Sequence, residues 1–426
     1  MDSELLNANS SNDLLENIIS ASENTSFHLI EDVYDNYNNK LLGRGYRITP
    51  KIREKLLNRI LKKPIETSIA SDNSVTTSGL TKTALEIIIH NPILRNLQFD
   101  FETEANELRY LNLEPLAALL LTVIRDTKPK NIKHLLFVTL IARAIGQEMQ
   151  LDAYDMTNLS IASLLHDIGQ LYAAIPEGDK LTDEHWRKVM VHPIIGSSVV
   201  MEHMDYPSEV SSAILEHHER CNGEGYPRRI DANKCSKIGQ ILILSEAIAG
   251  ILKPGREIQN ALVAFKLSNS NYPTYPLNAF NRIVSKYIFQ RIESNPNFTR
   301  DILNTTLDTL REIQLSISEF VKNTQDNKFV EISNNLKSRL IKLQQSLYAS
   351  GITHYLDEEI WNESANNQLI RLELEVTTNE IAWQIQDMAR DASLRIIAMN
   401  AVPPSHFIEC TARLNNTANN IKELMS

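Results

Sequence analysis

The chain has 426 residues but only 13 Gly and 15 Pro, a scarcity that excludes collagenous, low-complexity and turn-dense all-β architectures and leaves a mainly α protein as the expectation. Its 42% hydrophobic and 23% charged residues are ordinary globular material, enough for two or three domains with their own cores. A formal net charge of −10 argues against a protein that neutralises the backbone of a nucleic-acid polymer.

Residues 1–26 are rich in Ser, Asn and Asp and read as a flexible leader, without the basic and apolar stretches of a secretory signal. Residues 27–104 read as a small module. In it, SFHLIEDVYD and KLLGRGYRIT flank NYNN as two strands of a hairpin. ITPKIREKLLNRIL follows as a helix, with Thr49 as N-cap and Pro50 in first position. Residues 41–63 carry eight basic side chains against one acid, which reads as a solvated helix face, and SDNSVTTSGL (71–80) reads as a linker.

Residues 105–290 form the expected core domain. Leu116, Leu119, Leu120 and Val123 have the i, i+3, i+4, i+7 spacing of one buried helix face. The near-apolar run from Leu116 to Ile124 is far short of the roughly 20 residues a spanning helix needs, so no membrane span is expected and the cytoplasm is the expected location. Residues 291–426 repeat apolar positions at helical spacing, first Leu303, Leu307, Leu310, Ile317 and Phe320, then Ile332, Leu336, Leu340, Leu343 and Leu347. They read as long amphipathic helices, packed into a bundle or against a partner, a second copy of the chain included.

Seven of the 11 histidines and nine of the 13 glycines fall in the core domain. LLHDIGQ delivers adjacent His166 and Asp167; their directions on a helix differ by about 100°, so they serve one ion as a pair only with distortion, but a carboxylate can bridge to a second. His134 lies 32 residues before, His192 26 residues after, and His217-His218 another 25 residues on, intervals that suit successive helix-loop units aimed at one centre. Imidazole and carboxylate without thiolate suit borderline metals such as iron, manganese, zinc or nickel. The three cysteines, Cys221, Cys235 and Cys410, have no CxxC spacing and support neither a disulfide scaffold nor a zinc knuckle. Taken singly, His134 reads as a partly buried core residue, and His185 and His203 as surface residues. The His217-His218 pair is harder to dismiss, since two buried imidazoles must find partners.

HDIG, the His of HPIIG and HHERCNGEGYP, in that order, resemble the HD-GYP domain, a subgroup of the HD metal-dependent phosphohydrolases. The resemblance covers roughly residues 105–290, and His217, His218, Glu219, Asn222, Gly223, Gly225, Tyr226 and Pro227 follow its signature, with Asn222 where the family usually has Asp. It implies an all-helical core around a site of two or three metals, with cyclic di-GMP as substrate. It also implies that His134, His166, Asp167, His192, His217 and His218 are metal ligands, with Asp167 bridging, and that Glu246 stands where the family's last ligand is normally Asp. His166 and Asp167 are the expected catalytic residues, and Gln170, Tyr226 and Arg256 the expected substrate contacts.

Three departures qualify the match. Gln170 replaces the family's lysine and forfeits a charge-assisted phosphate contact, about half its strength. Lys130 stands where trinuclear members have Glu, so two divalent ions, iron or manganese, are expected. Arg256 is one position out of register with the family's phosphate-binding arginine. Residues 130–260 carry a net −4, which two divalent ions would offset. The expected function is hydrolysis of cyclic di-GMP to linear pGpG; the alternative is a weak or inactive domain that senses a nucleotide or recruits a protein.

Overall fold

A computed structural model describes residues 3–56, 59–97, 99–173, 183–252, 271–285, 300–323, 327–349, 351–364, 367–398 and 403–425. The first of these correct the expected leader. Leu14, Leu15, Ile18 and Ile19 repeat at one-turn spacing, and Ser3–Ala21 is a helix (α1) that buries all four. Asn17 Nδ2 donates to Leu171 O at 2.8 Å, fastening α1 to the core domain.

The hairpin forms at NYNN, between β2 (Val33–Tyr34) and β3 (Lys40–Leu42). The Asp35 carboxylate accepts from Tyr37 N and Asn39 N at 2.9 and 2.8 Å, and Asn38 takes the left-handed φ of +62° that a short polar side chain tolerates. The preceding strand β1 (Phe27–Leu29) pairs instead with β4 (Ile69–Ser71) in antiparallel register. The helix expected after Thr49 shrinks to a 3-10 turn at Pro50–Ile52 and one α turn at Arg53–Leu56, and Thr49 makes no side-chain cap. Backbone pairing claims the residues beyond it: Asn36 N donates to Ile60 O and Lys62 N to Tyr34 O, both at 3.0 Å. The 71–80 linker is also ordered. Thr76 caps helix α2 (Thr77–His90) by accepting from Gly79 N, and the buried Val75 amide donates to Thr122 Oγ1 at 2.7 Å.

In the core domain, α3 (Pro115–Thr127) buries every residue from Leu116 to Ile124. At about 1.5–3 kcal/mol per large apolar side chain, its six Leu, Val and Ile residues contribute on the order of 10 kcal/mol before chain entropy is subtracted. Helix α4 (Pro129–Glu148) is buried on nearly all sides from Leu135 to Gly146, and α5 (Ala153–Leu165) starts at an Asp152 cap and is buried from Met156 onward, save for Thr157. Two further helices, α6 (Asp183–His203) and α7 (Ser208–Glu216), pack against each other. Helix α8 (Lys237–Ile251) is apolar all round and lies against α4, α5 and α7, as a central helix must. A last helix, α9 (Thr274–Ser285), packs on α4. The N-terminal module and these helices form one compact unit.

The described residues from 300 onward form a second unit. Its long helices are α10 (Arg300–Asn323), α11 (Asn327–Ala349), α12 (Gln368–Ala398) and α13 (Ser405–Met425). Both apolar series face inward: Leu303, Leu310, Ile317 and Phe320 meet Ile332, Leu336, Leu340, Leu343 and Leu347 in one core with Leu374, Ile381, Ile385 and Leu414. The stripes thus cover one another in a bundle. Among the described residues no helix is long and apolar enough to cross a membrane.

Candidate metal centre

Helix ends deliver most of the site. His166 is the C-cap of α5, and Asp167 opens the 3-10 turn Ile168–Tyr172 that follows. His217 is the C-cap of α7, with His218 next in the chain. His134 lies on α4, His192 on α6 and Glu246 on α8. Seven side chains expected as ligands from five separated stretches of sequence therefore meet in one place.

Asp167 stands at the middle of them. Its Oδ2 lies 3.6 Å from His166 Nε2 and 4.0 Å from His134 Nε2. Its Oδ1 lies 3.1 Å from His192 Nε2 and 3.9 Å from His217 Nε2. Glu246 Oε2 closes the first side, 3.0 Å from His134 Nε2 and 3.3 Å from His166 Nε2. Two groups of potential ligands result, His134, His166 and Asp167 on one side and Asp167, His192, His217 and His218 on the other, the atoms of each within 4.8 Å of one another. The extra methylene of Glu246, relative to the Asp expected there, still brings its carboxylate to both histidines.

Hydrogen bonds orient the rings. Nδ1 of His166 contacts Ser163 O at 2.8 Å, Nδ1 of His192 contacts Val189 O at 2.5 Å, and Nδ1 of His217 contacts Ile214 O at 2.6 Å. A carbonyl only accepts, so in each ring Nδ1 carries a proton and Nε2 is the nitrogen turned toward the centre, the one that would offer its lone pair to a cation. Lone pairs and carboxylate oxygens then face one another: His192 Nε2 and His217 Nε2 are 3.1 Å apart, and His166 Nε2, Asp167 Oδ1 and Glu246 Oε2 are buried without a hydrogen-bond partner. Such an acceptor-only cage fits a cation, and the ring N–H to carbonyl bond is the usual orienting contact of a metal-bound histidine.

The electrostatics agree. Burial disfavours charge on His134, but Glu246 and Asp167 outweigh it and raise its pKa to about 9. His166 is raised in the same way, against burial, by Asp167 and Glu246. Burial would raise Asp167 and Glu246, yet the surrounding imidazoles hold both well below the usual carboxylate range. His217 drops to about 3 through burial and then His166 and His192, and His218 falls for like reasons. One side of the centre thus attracts positive charge, and on the other His217 and His218 are kept neutral, as ligation requires.

Two glycines let the motifs approach. A Cβ on Gly169 would lie 2.0 Å from His192 O, so only glycine allows the turn after Asp167 to touch α6. A Cβ on Gly225 would lie 2.4 Å from His218 O, where Tyr226 N donates to that same carbonyl at 3.0 Å. Tyr226 thereby stacks on His218, ring centroids 4.5 Å apart at 26°. Gln170, half-exposed, lies in the turn beyond Asp167. Arg256 lies outside the described residues, and His203 ends α6 away from the cluster.

Glu219 is fully buried and holds the loop. Its Oε1 accepts from Arg228 N at 2.8 Å and its Oε2 from Ile230 N at 3.0 Å. Asn222, in place of Asp, donates to Glu224 Oε2 at 2.7 Å and Asn271 Oδ1 at 2.8 Å, contacts a carboxylate could not make. Glu216 passed unnoticed in the sequence. Its Oε2 accepts from Ser236 N and Oγ at 2.9 and 2.6 Å, and its Oε1 from Arg228 Nη2 at 3.1 Å. It ties the residue before His217 to the start of the helix that carries Glu246. Nothing in its spacing marks it.

Comparison with known proteins agrees with this geometry. Residues 118–260 match the family model of the HD domain. Over 195 residues, 44% of this chain and 46% of the relative, the sequence is 26% identical to a cyclic di-GMP phosphodiesterase of Pseudomonas aeruginosa. It is 25% identical over 127 residues (29% of this chain, 27% of the relative) to a 3'3'-cGAMP-specific phosphodiesterase of Vibrio cholerae. With a cyclic di-GMP phosphodiesterase of Borreliella burgdorferi it shares 27% identity over 125 residues (29% of this chain, 33% of the relative). The matches span less than half the length of these curated relatives. Residues 118–260 are thus similar to the HD domain, and the ordered motifs within them resemble those of its HD-GYP subgroup.

Proposed function

We propose that the chain is a metal-dependent phosphodiesterase that hydrolyses cyclic di-GMP to linear pGpG. The observation that carries the reading is Asp167, whose two oxygens each face a separate histidine group. Two divalent ions, iron or manganese, would polarise a phosphate oxygen there and make a water acidic enough to act as nucleophile near neutral pH.

This chain's residues do the rest. His134, His166, Asp167 and Glu246 would hold one ion, and Asp167, His192, His217 and His218 the other. The Nδ1 contacts to Ser163, Val189 and Ile214 fix the rings before any ligand arrives. Tyr226, seated on His218 at the edge of the cluster, is the group proposed to meet the nucleotide, with Gln170 donating a neutral hydrogen bond to a phosphate and Arg256 adding charge. The reading places the activity in the cytoplasm, where a soluble dinucleotide signal would be met.

The test is turnover. Manganese- or iron-loaded protein is offered cyclic di-GMP and, because one relative is named for it, 3'3'-cGAMP. Conversion of cyclic di-GMP to pGpG, abolished in His166→Ala and Asp167→Asn, is expected. Metal-loaded protein that leaves cyclic di-GMP intact refutes the reading.

A further inference from the structure

His192 differs from the other oriented histidines in one respect. His166 and His217 close their helices, where the last carbonyls have no backbone N–H to accept from. His192 lies in the middle of α6, which runs on to His203. In an unbroken helix the Val189 carbonyl would accept from the N–H four residues on, and a side chain would have to share it with that donor. The residue four positions on is Pro193, which is buried and has no N–H. The carbonyl that Pro193 leaves without a donor is the one that His192 Nδ1 contacts at 2.5 Å.

We infer that Pro193 is a positioning residue of the metal centre: by withholding a backbone donor from Val189 O, it reserves that carbonyl for His192 Nδ1 and so aims Nε2 at Asp167 Oδ1, 3.1 Å away. A proline inside a helix is expected to bend or break it. In the structure the helix continues through it, and its effect is on the hydrogen-bond ladder. The inference rests on His192 being a ligand, as proposed above, but the state of its ring can be read without any metal.

Two variants separate the missing donor from the shape of the ring. Pro193→Ala restores the N–H, which then competes for Val189 O. Replacing Pro193 by lactic acid, introduced as an α-hydroxy acid, removes the pyrrolidine ring and still supplies no N–H. In metal-free protein, 15N NMR of His192 should show the Nδ1–H tautomer in wild type and in the lactate variant, and a tautomer mixture in Pro193→Ala. Manganous ion, titrated by EPR, should bind Pro193→Ala about 10–100-fold more weakly, with the lactate variant close to wild type. The apo melting temperature of Pro193→Ala should hold or rise, since alanine suits a helix interior better than proline, so weaker binding is not damage to the fold. A Pro193→Ala protein that keeps a single Nδ1–H tautomer and wild-type manganese affinity overturns the inference. Should wild type bind no manganese, the metal reading fails and the tautomers alone decide the role of Pro193. Should Pro193→Ala not fold, the wild-type spectrum decides: a His192 proton on Nε2 overturns it.

Discussion

Glu219 offers a stringent test of how the loop after the paired histidines is held. Its carboxylate is fully buried and accepts from the amides of Arg228 and Ile230 at 2.8 and 3.0 Å. Glu219→Ala leaves both donors without a partner, at about 1–3 kcal/mol each. Water can reach part of this loop, so the lower half of that range applies, roughly 3 kcal/mol in all. Glu219→Gln keeps one acceptor and turns an NH2 toward the other amide, so it should cost roughly half as much. The readout is hydrogen exchange at Tyr226, whose own bond to His218 O is untouched by either change. A loosening of 3 kcal/mol speeds its exchange by about 100-fold if local opening is the route. Manganese affinity should fall in parallel, because His218 shares that backbone. Unchanged protection at Tyr226 in Glu219→Ala would refute the idea that this carboxylate holds the loop.

Further consequences follow from packing and charge. Gly169→Ala puts a Cβ 2.0 Å from His192 O, so the turn must move off α6; the fold should lose about 1–3 kcal/mol, seen as a lower melting temperature, and metal affinity should drop because Asp167 and His192 part. Gln170→Lys should strengthen phosphate contact, read as a lower KM for cyclic di-GMP with little change in Tm, since the side chain is half-exposed. In the C-terminal unit, burial would raise Asp387, but Arg390 and Arg339 hold it below its ordinary value of 3.8. A depressed carboxylate contributes stability that is complete above that value and lost as pH falls through the lower folded value, so melting of this unit should stay level down to about pH 5 and then decline. Asp387→Asn should flatten that decline and lower stability at neutral pH, because Arg339 is buried.

The cluster proposed to hold the metals was legible because metal chemistry restricts residue type and because helix-loop spacing keeps such residues apart in sequence while the fold brings them together. His134, His166, His192 and His217 could be read from their intervals, and the apolar stripes of the C-terminal helices from their period. What escaped depends on partners far away in the chain. Helix α1 reads as a leader in sequence because its Ser and Asn content masks the short stripe from Leu14 to Ile19, which is buried only against the folded core. The helix after Thr49 is cut short because residues 60–62 pair with the hairpin instead, a tertiary choice that local propensity does not contain. Glu216 and Glu219 are ordinary acids on a helix end until Ser236, Arg228 and Ile230 fold back onto them.

The central claim is that Asp167 serves two metal ions at once. Metal content per chain, by native mass spectrometry of protein reconstituted with manganese and then desalted, tests it most directly. Two ions per chain in wild type, with both occupancies reduced by Asp167→Asn and only one reduced by either Glu246→Gln or His218→Ala, are the predicted result. A single ion in wild type, or two ions that survive Asp167→Asn undiminished, would contradict it.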